Sequence, residues 1–93
     1  MHRANRRPQT VLQALLTQFL TYDRLASQAT RFLIDLDDLQ ETLEDHQPNV
    51  ALLHQLRQFR PFVAQFEEFC IQARNAVEQR LQTLLAGHVT EDT

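Results

Sequence analysis

Apolar residues recur along this chain in alternating steps of four and three. From Val11 the stepping runs through Leu15, Gln18, Tyr22, Leu25, Ala29, Phe32, Leu36 and Leu39 to Leu43, and Gln18 is its one strongly polar member. A second series runs Leu52, Leu56, Phe59, Val63, Phe66, Cys70, Ala73, Val77, Arg80, Leu84, with Arg80 its one charged member. A mean repeat of about 3.5 residues marks helices packed along a left-handed coiled-coil seam. The pattern predicts an all-α protein of two long amphipathic helices.

Punctuation between the two series sets their limits. Thr10 followed by Gln13 fits a capping box, which starts the first helix near Thr10. Pro48 disfavours helical geometry at Gln47, which ends that helix near Asp45. His46–Asn49 then forms the connection, with Asn49 as cap of the second helix. Gly87 is the only glycine and is expected to stop the second helix in a left-handed turn. The expected layout is a flexible Arg-rich arm over 1–9, one domain over 10–87 and a flexible tail over 88–93.

So short a connection favours an antiparallel hairpin. Folding the chain at Gln47–Pro48 sets Leu43 opposite Leu52, Leu39 opposite Leu56, Leu36 opposite Phe59 and Phe32 opposite Val63. The series continues with Ala29 opposite Phe66, Leu25 opposite Cys70, Tyr22 opposite Ala73 and Gln18 opposite Val77. Pro61 interrupts this scheme. Its ring crowds the carbonyl four residues back, so the second helix is expected to kink there, or to break and give three helices.

Two seams do not use all the apolar residues. Leu12, Phe19, Ala26 and Leu33 form a second column on the first helix. Leu53, Phe62, Phe69 and Ala76 do the same on the second, with Leu81 and Leu85 near its end. So wide an apolar face belongs to a bundle of three or four helices. The expected remedy is dimerisation into a four-helix bundle, or a different helical protein supplying the missing surface. Phe59 and Phe66 are assigned to the core. Phe62, Phe69, Phe19, Leu33, Leu53 and Leu81 are assigned to partner binding.

Composition narrows the function classes. One glycine in 93 residues leaves little material for the tight turns of a sheet protein. Cys70 is the only cysteine, so no disulfide forms within the chain, and a reducing, cytoplasmic setting is expected. No apolar run is long enough for a membrane span or a signal peptide. The Arg-rich, acid-poor stretch 1–34 would also suit an organelle transit peptide, a weaker reading because it keeps the seam register.

The net charge of −3 argues against nucleic acid as partner. Even so, Arg3, Arg6 and Arg7 are candidate phosphate ligands, with Arg74 and Arg80 near the same end. They support an alternative reading as a dimeric nucleic-acid-binding regulator. Six acidic residues crowd 35–45, where Arg57 and Arg60 are placed to neutralise part of the charge.

Candidate chemistry is sparse. No Glu is followed three residues later by His, as a bundle di-iron site requires. Glu44, Asp45, His46 and His54 read as a solvated tip rather than a metal site. Ser27, the only serine, has no His or acid in register, and there is no Gly-rich phosphate loop. The expectation is a protein without catalysis, cofactor, metal or small-molecule substrate. It would be an interaction module, such as a small adaptor, assembly chaperone or regulatory subunit, acting through an apolar helical face.

Overall fold

The computed structural model describes residues 8–46 and 49–92, with side chains over 10–46 and 49–87. It is an all-α hairpin: α1 spans Pro8–His46 and α2 spans Val50–Asp92. Of the expected arm over 1–9, residues 8 and 9 belong to α1 and residues 1–7 lie outside the described residues, as do the turn residues Gln47 and Pro48 and Thr93.

Helix limits follow capping chemistry at one end only. Asn49 caps α2 as expected: its Oδ1 accepts the Leu52 amide at 3.0 Å and its carbonyl accepts the Leu53 amide at 2.9 Å. Pro8 opens α1, where a missing amide costs nothing because first-turn amides have no helical partner. Thr10 therefore sits inside the first turn rather than capping it. Gly87 does not stop α2, which continues to Asp92 with no glycine at positive φ. A lone glycine costs a helix only about 1 kcal/mol and forces no left-handed turn.

Pro61 does not break the chain into three helices, since α2 is continuous through it. The ring lies on an exposed face, and Leu56 and Val63 on either side both pack into the seam with α1. Helices of 39 and 43 residues should measure about 58 and 64 Å. The molecule is 65 × 31 × 15 Å, two helices wide and one helix thick. Its radius of gyration is 20.5 Å, against about 12 Å for a globule of this length. No helix is long and apolar enough to cross a membrane, among the described residues.

The seam differs from the expected one by a rotation of each helix. The seam on α1 runs Leu12, Leu15, Phe19, Tyr22, Ala26, Ala29, Leu33, Leu36, Gln40, Leu43, with Asp23 and Leu25 half-buried at its edges. On α2 it runs Leu53, Leu56, Arg60, Val63, Glu67, Cys70, Arg74, Val77, Leu81, Leu84, with Ala64, Ile71 and Ala73 half-buried beside it. Every second expected position is kept, and at the others the residue that follows is the more central one, although Leu25 and Ala73 stay half-buried at the edge. Leu33 and Leu36 thus cluster with Val63, and Leu15 clusters with Val77 and Leu81. Phe32 meets Phe59 edge-on at 6.0 Å, outside the seam, instead of covering Val63.

A polar ladder accompanies the rotation. Arg60, Glu67 and Arg74 recur every seven residues in the α2 seam and lean out to one flank. There they meet Asp37, Thr30 and Asp23, also seven apart on α1. Arg60 Nε lies 2.7 Å from Asp37, Arg74 Nη1 lies 3.0 Å from Asp23, and the Thr30 hydroxyl donates to the Glu67 carboxylate. Long side chains of this kind cover the seam with their stems and keep their charges in water. Arg57 extends the ladder to Glu44 at 2.8 Å, so Arg57 and Arg60 do neutralise part of the acidic stretch.

Hydrogen bonds from Arg60, opposed by partial desolvation and aided by its charge, hold the Asp37 carboxyl below the ordinary carboxylate range. A lowered folded-state value means that the pair stabilises the hairpin fully above the unfolded carboxylate pKa of about 3.9. That contribution is lost as the pH falls through the lowered value. The urea midpoints of wild type and Asp37→Asn should therefore differ at pH 7 and converge at about pH 2. A difference that persists in acid would contradict the assignment.

Candidate functional site: an uncharged aromatic flank

Opposite the polar ladder, the other flank of the seam is apolar and open. Leu25, Phe32 and Leu39 border it on α1, and Leu52, Phe59 and Phe66 border it on α2; all but the half-buried Leu25 are exposed. Beside them on α2, Phe62 is 68% exposed and Phe69 59% exposed. Phe69 leans on Tyr22, ring centres 6.4 Å apart and edge-on, which orients it without covering it. A phenylalanine side chain offers roughly 200 Å². Five of them, about half uncovered, leave on the order of 500 Å² of apolar surface, as large as the biggest patch on a typical monomer.

The border of this patch is also unusual in its chemistry. Gln58, Gln65, Gln72 and Gln79 recur every seven residues on the outer edge of α2. Across the whole aromatic face and this edge, from Ala51 to Gln79, α2 carries no charge. The side of α1 turned away from α2 is mixed, with Arg24, Arg31, Asp35 and Asp38 exposed to water alongside Leu16, Leu20 and Ile34. Charged residues are depleted where a surface is to be covered. The face of α2 is thus suited to burial, and the mixed side of α1 less so.

The residues assigned to partner binding divide between these surfaces. Phe62 and Phe69 stand on the open flank. Leu33, Leu53 and Leu81 are buried between α1 and α2, and Phe19 packs half-buried on the Leu15–Val77–Leu81 cluster. These four belong to the intramolecular seam and are withdrawn from the available surface. Phe59 and Phe66, assigned to the core, are 46% exposed and belong to the flank. The uncharged glutamine column was visible in the sequence and is the signal that marks this side.

The remaining candidates hold little chemistry. Arg3, Arg6 and Arg7 lie outside the described residues. Arg74 is committed to Asp23, and Arg80 is exposed beside Val11 in a shallow trough. Glu44 is paired with Arg57, and His46 Nδ1 lies 3.2 Å from the Thr42 carbonyl. Among the described residues no group of three or more His, Cys, Asp or Glu is placed to hold a metal ion. Cys70 is 0% exposed, and burial pushes its thiol pKa up, away from the reactive thiolate. Comparison with protein-family models, curated proteins and solved structures gives no match.

Proposed function

We propose that the chain is a non-catalytic protein–protein interaction module whose working surface is the uncharged aromatic flank. The observation that carries this reading is the exposure of Phe62 and Phe69 on a helix face that also lacks charge. A hairpin one helix thick is half of a two-layered core. Helices laid on the flank complete the other half as a four-helix bundle. Aromatic residues held in a packed groove are effective anchors for such docking. An adaptor, assembly chaperone or regulatory subunit of the cytoplasm would work in this way, and the lone buried thiol suits a reducing setting.

The test is affinity capture from the native cell with the full chain and with the Phe62→Asp/Phe69→Asp variant, followed by mass spectrometry. Phe62 and Phe69 are both mostly exposed, Phe69 meeting the seam edge-on at Tyr22, so the variant should keep its helical circular dichroism. Specific partners, including untagged copies of the chain itself, should be retained by wild type and lost by the variant. Identical capture by both proteins would overturn the proposal.

A further inference from the structure

We infer that the flank is occupied by α2 of a second copy of this chain, running antiparallel across a two-fold axis between Phe66 and Phe69. The inference rests on the docking surface proposed above and names what fills it. Phe59, Phe62, Phe66, Phe69, Ala73 and Ala76 step by three and four, so α2 carries a second coiled-coil seam beside the one it shares with α1. This second seam is self-complementary. When two copies are laid antiparallel about its centre, Phe66 meets Phe69 of the second copy. Phe62 then meets Ala73, and Phe59 meets Ala76. Large faces small away from the axis, as interdigitated packing requires.

The border obeys the same symmetry. About the same axis the nearest border residue to Gln65 is Gln72 of the second copy and the nearest to Gln58 is Gln79, each offset by two residues (about 3 Å), so side-chain amides lie near amides and no like charges are opposed. A parallel pairing would instead stack Phe on Phe and leave Ala on Ala, with bulges and voids in alternate layers. The area is also sufficient. Two flanks of on the order of 500 Å² each, plus the leucines and glutamines around them, reach the roughly 1,200–2,000 Å² of a stable interface.

Light scattering on the full chain at about 20 µM, combined with engineered disulfides, tests this. Wild type should have the mass of two 10.9 kDa chains, and Phe62→Asp/Phe69→Asp should raise the dissociation constant at least 100-fold while keeping the helical signal. Gln65→Cys mixed with Gln72→Cys should oxidise to a covalent dimer at least ten times faster than either variant alone. Wild type, with Cys70 fully buried, is the uncrosslinked control. A monomeric wild type overturns the self-pairing, and so does Gln65→Cys linking to itself as fast as to Gln72→Cys. A monomer that still captures a different protein through Phe62 and Phe69 leaves the docking surface standing and removes only the second copy. A dimer indifferent to Phe62→Asp/Phe69→Asp removes both.

Discussion

Leu33→Asp should abolish the folded hairpin, whereas Phe32→Asp, one residue earlier, should leave it folded. Leu33 is buried against Leu36 and Val63. Truncating such a side chain costs about 2–5 kcal/mol, and placing an unpaired carboxylate in the same space adds several more. A domain of this size has only about 5–10 kcal/mol in total. Phe32 is 43% exposed and forfeits mainly its edge contact with Phe59. Circular dichroism at 222 nm with urea titration distinguishes them: Leu33→Asp should show no cooperative transition, and Phe32→Asp should keep one. The opposite result would restore the seam through Phe32 and refute the rotation seen in the structure.

That pair of variants also isolates what the sequence concealed. The seven-residue repeat, the hairpin, the cap at Asn49 and the pairing of Arg57 and Arg60 with the acidic stretch were all legible, because each depends on local spacing or charge. The rotation of the helices was not. Counting apolar residues favours the column Leu25, Phe32, Leu39 over Ala26, Leu33, Gln40, and Phe59, Phe66 over Arg60, Glu67. The fold takes the less apolar column, and on that side Arg60, Glu67 and Arg74 meet Asp37, Thr30 and Asp23. A polar ladder can set register and rotation without adding much stability. Phe59 and Phe66 thus face outward although apolar spacing assigns them to the core, and Leu33, Leu53 and Leu81 are buried although it assigns them to a partner surface.

Pro61→Ala should stabilise the hairpin. Proline inside a helix is about 3 kcal/mol less favourable than alanine. Replacing it also returns up to about 1 kcal/mol of freedom to the unfolded chain. The net gain of about 2 kcal/mol should raise the melting temperature by roughly 8–16 °C in a thermal scan. Because α2 is continuous through this exposed position, alanine restores the amide that bonds the Arg57 carbonyl and meets no close neighbour. An unchanged or lower melting temperature would mean that the proline ring or the gap it leaves contributes to packing.

The hairpin's long, thin shape has a mechanical consequence. The outer ends of α1 and α2 lie side by side, with Leu12 and Leu84 in one cluster, and the capped tip lies at the far end of a 65 Å rod. A force that draws those two ends apart loads the layers one after another, like the teeth of a zip. Each layer opens under its own small load, beginning at Leu12 and Leu84 and finishing beside Asn49. A force along the rod that slides α1 past α2 strains all the layers, and the four-rung polar ladder, at once. The same protein should therefore peel apart under weak tension in one direction and resist it as a strut in the other.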